Sequence, residues 1–215
     1  MGVTALILIL ALSVINTMVV RTSNRAPDDG YISLRYAENL TAGHGLRFNP
    51  GGERVEGFSS PLHVLGLAAV IEAGVESRAA GQLSSLVPAY LALMVVGWWG
   101  WRRFGLLWGS LGALAIALSQ TFRYWARSGM ETTLFALLIT LALVAAAEGR
   151  WCAMGLAAGL VAVTRPEGVL YLAPLFIHAA VVHRVRNRTL KEWSIPALLA
   201  AGPFAAWFLF RMASF

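Results

Sequence analysis

Charge is what this sequence most conspicuously lacks. Asp, Glu, Lys and Arg make up 13% of its 215 residues, against roughly 25% in an ordinary soluble domain. Hydrophobic residues make up 58% and come in blocks rather than at helical or strand spacing. Together these exclude a soluble globular enzyme. Lysine is nearly missing, since 16 of the 17 basic residues are Arg. Many of these stand between apolar blocks, where short loops meet lipid headgroups. The net charge of +6 is therefore no nucleic-acid footprint, and no nucleic-acid partner is expected. Cys152 is the single cysteine, which excludes an intramolecular disulfide; in its apolar block it reads as a small packing residue. No Walker motif, dinucleotide fingerprint, zinc signature or nucleophile elbow occurs.

What is present is a series of apolar blocks at 3–20, 83–101, 104–122, 132–148, 151–164 with its flank, 168–183 and 194–211. A helix crossing a bilayer needs about 20 mainly apolar residues, so the pattern predicts an all-α, polytopic transmembrane bundle forming a single membrane domain. Segment 3–20 has no basic residues before its apolar run and no small-residue cleavage site after it, and is expected to be a retained first span. Block 61–73 follows Ser59-Ser60-Pro61, an N-cap with proline at the first helical position. Its 13 residues reach roughly 20 Å, too short for a core of about 30 Å. It is expected to be interfacial or re-entrant.

With that block kept on one side, Arg102, Arg103, Arg150, Arg184, Arg186, Arg188 and Lys191 fall on the cytoplasmic face. Arg123, Arg127 and Arg165 fall on the other. Seven against three obeys the positive-inside rule, giving seven spans and an outer C-terminus. The polar segment 21–60 then becomes a first outer loop with internal structure. Ile32, Tyr36 and Leu40 share a face and Gly43 offers a stop, predicting a helix over 31–42. Leu46 and Phe48, the turn Asn49-Pro50-Gly51-Gly52, and Val55 and Phe58 predict a small irregular hairpin, with Gly57 as a bulge.

Asp28-Asp29 lies just past the first span. Adjacent carboxylates there suit a helix cap, a base tuned by its neighbour, or a divalent-cation site. Ser128-Gly129-Met130-Glu131 and Thr164-Arg165-Pro166-Glu167 both fit the S/T-x-x-E capping box. All of these, with Arg127, fall on the same membrane face, and arginine beside a helix N-terminus suits a phosphate. His44 and His63 read as ordinary polar residues of the outer loop, and His178 as a packing residue. Trp98, Trp99, Trp101 and Trp108 read as interfacial anchors near Arg102-Arg103.

The run DDGYISLRYAENLTAGHGLRFNPGGERVEGFSSPLH, followed in order by SGMETTLF and TRPEGVLY, resembles the N-terminal part of the GT-C membrane glycosyltransferases. The similar branch is that of the terminal arabinofuranosyltransferases of mycobacterial cell walls and their bacterial relatives. Members of that family are longer, so the resemblance implies the N-terminal part of a larger architecture. It implies an enzyme of the bacterial inner membrane, active on the extracytoplasmic face. The donor is a polyprenyl-phosphate sugar and the acceptor a cell-envelope glycan. Asp28 and Asp29 take the place of the family's catalytic acidic pair, Asp28 as the base and Asp29 as its partner, with the roles exchangeable. Arg165, Arg127 and Arg35 are the expected donor-phosphate ligands, and Glu131, Glu167 and Glu56 the supporting acids. A metal, if used, would sit on Asp28 and Asp29. The competing expectations are a catalytically inactive scaffold of the same fold and a lipid or sugar transporter; the near absence of charge within the spans disfavours the transporter.

Overall fold

Asp28 and Asp29 open the first described helix, their carboxylates in the turn where free backbone N–H groups favour negative charge. The computed structural model describes residues 28–185 and 193–215. The expected first span at 3–20 lies outside the described residues, as do Arg186, Arg188 and Lys191. Every regular element among the described residues is helical.

Helix α1 (Asp28–Thr41) buries Gly30, Ser33, Tyr36, Ala37 and Asn39. It ends where the His44 N–H reaches back to the Asn39 carbonyl at 2.9 Å. The expected hairpin does not form. Its two arms bond to side chains of α1 instead of to each other. Asn39 Nδ2 donates to the carbonyls of Arg47 and Phe48 at 2.7 and 2.8 Å. The Tyr36 hydroxyl donates to the Val55 carbonyl at 2.6 Å and accepts the Gly57 N–H at 3.0 Å. Phe58 then meets the Tyr36 ring edge-on at 4.8 Å.

Helix α2 (Pro61–Glu72) starts as expected, with Ser60 Oγ accepting the His63 N–H at 3.4 Å. Its 12 residues span about 18 Å, too little to cross a bilayer alone. Val64, Leu67 and Ala68 pack it onto Tyr36 and Ala37 of α1 and Ala80 of the next helix.

Four helices build the bundle's body: α3 (Ser77–Phe104), α4 (Leu106–Leu118), α6 (Thr132–Ala147) and α7 (Trp151–Thr164). The block expected as one span over 104–122 is broken twice. Gly105 ends α3, and Ser119 turns extended (ψ 124°) to cap the short helix α5 (Gln120–Trp125). A 3-10 turn at Pro166–Gly168 leads into α8 (Val169–Val185), and α9 (Ser194–Ser214) closes the described chain. Two of these helices are long and apolar enough to cross a membrane, α3 and α9, with mean hydropathy of 1.6 and 1.5 over their best windows. The other expected spans among the described residues are shorter apolar helices.

Helix α9 packs on α7 through glycine. A Cβ on Gly155 or Gly159 would overlap the backbone carbonyls of Pro196, or of Leu199 and Ala200. Small residues that let backbones approach are the way helices associate where no hydrophobic driving force separates them from their surroundings. Only Pro196 and Ala200 of α9 are buried. Ile195, Leu198, Leu209 and Met212 are among its exposed side chains.

The bundle has two chemically distinct ends. At one, Trp99 Nε1 donates to Glu148 Oε1 at 2.8 Å, Arg103 lies 3.8 Å from the same oxygen, and Arg102 stands over Trp98. Arg150 and the start of α7 share that end. At the other end sit α1, Arg123, Arg127 and Arg165. The last turn of α9 returns there, with Phe215 and Trp207 against Phe58 and Arg211 Nε 2.5 Å from Glu56 Oε2. Arg102, Arg103 and Arg150 thus lie at the opposite end of the bundle from Arg123, Arg127 and Arg165.

Candidate functional site

The chain has two aspartates, and they are neighbours. Both are exposed, and the next residue, Gly30, is buried. A Cβ on Gly30 would stand 3.0 Å from the Ser128 carbonyl, 3.6 Å from that of Gly129 and 3.7 Å from Met130 Cγ. The first turn of α1 is therefore seated on the loop between α5 and α6, and glycine is what permits the approach.

That loop is itself fastened to α3 by Ser85, which is fully buried. Ser85 Oγ lies 3.1 Å from the Ala126 carbonyl, to which it donates, and accepts the Gly129 N–H at 3.1 Å. Its carbonyl accepts Thr133 Oγ1 at 2.6 Å. Ser128 Oγ adds an internal brace, donating to the Trp125 carbonyl and accepting the Met130 N–H. Neither Ser84 nor Ser85 stood out in the sequence; a Ser-Ser pair within an otherwise apolar helix was the available signal.

Both expected capping boxes are absent. Glu131 itself occupies the N-cap of α6 and makes no side-chain cap bond. Thr164 is the last residue of α7, its Oγ1 donating back to Leu160 at 2.7 Å. The two glutamates go to one cation instead. Arg165 Nε lies 2.7 Å from Glu167 Oε1 and 3.7 Å from Glu131 Oε1, and its guanidinium stands 5.8 Å from the Phe135 ring centre. Glu131 keeps 5% of its side-chain surface exposed and Glu167 keeps 47%. The extended backbone at Arg165 between α7 and the 3-10 turn presents this guanidinium.

Met130 touches Gly30 and Glu131 follows it, so the loop that seats the first turn of α1 leads directly into the Glu131–Arg165–Glu167 cluster, with Arg127 on the same loop, and these groups share one corner of the bundle through that loop. Burial lowers the pKa of Arg127 from its usual value. Arg35 and Glu56 stand apart from this corner. Glu56 faces Arg211 on α9. Arg35 lies two turns along α1, 3.7 Å from Glu38. A residue seven positions on shares a helical stripe, so Arg35 and Asp28 look the same way, into a cleft of about 610 Å³ between α1 and the start of α3. Asp29 does not line it. Tyr31, Phe48, Glu76 and Arg78 do, and none of these was marked as a site residue by sequence.

His63 departs from its expected role. It is 2% exposed in the first turn of α2, with Nε2 2.9 Å from Ser84 Oγ. Ser84 gives its proton to the Gly81 carbonyl, so Nε2 carries the hydrogen and Nδ1 is left without a partner. Burial pulls its pKa down from 6.5 to about 4, and the ring is neutral. His44 is exposed, as expected of a loop residue.

No cluster of three or more His, Cys, Asp or Glu side chains capable of holding a metal exists among the described residues. No known family, curated protein or solved structure matches the chain.

Proposed function

We propose that this chain is a membrane-embedded glycosyltransferase of GT-C type, or the N-terminal part of one. It would move a sugar, arabinofuranose by resemblance, from a polyprenyl-phosphate donor to a cell-envelope glycan. The observation that carries the reading is the seating of Gly30 on Ser128–Met130. It holds an exposed aspartate pair at the same end as Arg127 and Arg165, beside an open cleft. The apolar outer surfaces of α4, α8 and α9 and the glycine crossing of α7 with α9 support immersion in a bilayer. The arginine partition supports a bacterial inner membrane with the aspartates outside the cytoplasm.

In this mechanism Asp28 accepts the proton of an acceptor hydroxyl. The freed oxygen attacks the anomeric carbon from the face opposite the phosphate, and the carbon–phosphate-oxygen bond breaks with inversion. The electron pair leaves on the polyprenyl phosphate, where Arg127 and Arg165 meet the growing charge. Arg165 is already flanked by two carboxylates, so the phosphate must compete with Glu167, the more exposed of them. The same flanking is what favours the second reading, an inactive scaffold in which Arg165 serves packing alone.

The test is transfer from a radiolabelled polyprenyl-phosphate sugar to extracted cell-envelope acceptor, with the protein in nanodiscs. Asp28→Asn is expected to lower kcat at least a thousandfold, and Asp29→Asn less. Wild-type rates in both variants would remove the mechanism.

A further inference from the structure

The cleft beside Asp28 is more than an approach to the corner. Its wall carries Tyr31 and Phe48, aromatic side chains that are 49% and 44% exposed. Around them stand three acids, Asp28, Glu38 and Glu76, and two bases, Arg35 and Arg78. Most of this charge is matched internally. Arg35 and Glu38 form a pair at 3.7 Å. The Glu76 oxygens each accept a backbone N–H, from Arg78 and Ala79, at 3.0 Å, capping α3.

An anion entering this cleft meets one more acid than base. An isoprenoid tail would find apolar surface on Tyr31, Ile32, Leu34 and Phe48 but would leave five charged side chains without polar partners from the ligand. A neutral polyhydroxylated ligand suits all of them: its C–H faces lie on the exposed rings, while carboxylates accept and guanidiniums donate to its hydroxyls. We infer that the cleft between α1 and the start of α3 is a saccharide subsite that holds the acceptor glycan and delivers one hydroxyl to Asp28.

The term acceptor rests on the glycosyltransferase reading; the saccharide site does not. The helical stripe that places Asp28 in the cleft with Arg35 runs along its length, so a glycan chain lying on Tyr31 and Phe48 ends at the carboxylate proposed as base. The donor then approaches from the Arg165 corner, and the two substrates meet at the first turn of α1.

Saccharide binding is measured by saturation-transfer NMR and calorimetry on the full chain in lipid nanodiscs, free of sugar-headed detergent. The probes are an arabinofuranose hexasaccharide and maltohexaose, with inorganic phosphate as the rival anion. Binding of at least one saccharide is expected, at least tenfold weaker in Tyr31→Ala and in Phe48→Ala. Trp108→Ala, an exposed aromatic at the opposite end, keeps the wild-type affinity. Melting curves on the same samples verify that both cleft variants fold. Where transfer is observed, both raise the acceptor KM more than they lower kcat. Saccharide binding in a chain that transfers nothing retains the site and removes the claim that this chain by itself catalyses transfer. Binding indifferent to Tyr31 and Phe48, no binding by an active chain, or displacement of the saccharide by phosphate overturns the inference.

Discussion

Replacing Gly30 by alanine sets two effects of known sign against each other. Alanine in place of a helical glycine stabilises by about 0.5–1 kcal/mol, because glycine loses more backbone freedom on folding. Against this, the new methyl would stand 3.0 Å from the Ser128 carbonyl oxygen, and that oxygen belongs to a backbone braced by Ser85 and by Ser128's own hydroxyl. Overpacking against such a neighbour costs about 1–3 kcal/mol. The steric term equals or exceeds the favourable one, with a net loss of about 0–2.5 kcal/mol. Gly66, in the middle of α2, has nothing within 4 Å of its would-be Cβ. There only the favourable term acts, and Gly66→Ala should raise the apparent Tm by about 1–4 °C, at about 2–4 °C per kcal/mol for a chain of this size.

The two variants therefore separate local helix propensity from the seating of α1. Gly30→Ala should leave the apparent Tm level or lower it by a few degrees. It should also cut transfer at least tenfold, since a few tenths of an ångström at Gly30 move both aspartates relative to the Arg165 corner. Gly30→Val, with two further carbons, should do both more strongly. Scanning fluorimetry in nanodiscs and the transfer assay read the two quantities on one sample. If Gly30→Ala gains stability like Gly66→Ala and keeps full activity, the first turn of α1 is not held where its function requires, and the reasoning fails.

Burial of neutral His63 makes stability depend on pH. On unfolding its pKa returns from about 4 to 6.5, so the unfolded chain takes up the proton first. Stability is full above pH 6.5 and falls as the pH drops toward 4, by about 2 kcal/mol at pH 5. His63→Gln should flatten that slope in denaturation curves, and parallel slopes would exclude His63 as the cause. Arg165→Ala strands the buried Glu131 carboxylate and should cost about 3 kcal/mol; adding Glu131→Gln should restore most of it, and a double variant as unstable as the single one would deny the ion pair its role. Glu167→Gln removes the competitor for an incoming phosphate and should lower the donor KM severalfold, whereas a raised KM would assign Glu167 to substrate binding.

The sequence made α1 and α2 visible because both carry local signals: Ile32, Tyr36 and Leu40 four apart, and Ser60-Pro61 at a helix start. The shared face holds: Tyr36 is buried and Ile32 and Leu40, half-covered, pack against the same cluster. What periodicity did not mark is the burial of Gly30, Ser33 and Ala37 beside them, small residues that let neighbouring backbone approach. The hairpin failed for a different reason. The partners of its backbone groups, Tyr36 and Asn39, lie 8 to 21 residues away, and no alternation pattern encodes a side chain that substitutes for a strand. Tyr31, Phe48 and Arg78 form a cleft through the same kind of distant meeting.

The S/T-x-x-E strings mark the limit of local reading most clearly. A glutamate three residues after Ser128 or Thr164 satisfies a helix cap or an ion pair equally well, and propensity does not choose. The choice belongs to the fold. Once α7 ends at Thr164 and the backbone of Arg165 turns extended, a guanidinium comes within reach of both carboxylates, and a contact in which both partners are charged replaces a cap bond in which only the carboxylate is. Glu131 loses nothing by this, since at the N-cap of α6 its charge still faces the positive end of that helix. The corner consequently holds four carboxylates against two guanidiniums before any substrate arrives, and both glutamates already face Arg165. A phosphate can bind there only by displacing a carboxylate from Arg165, and Glu167, less buried than Glu131 and outside the helix cap, is the one whose release costs less.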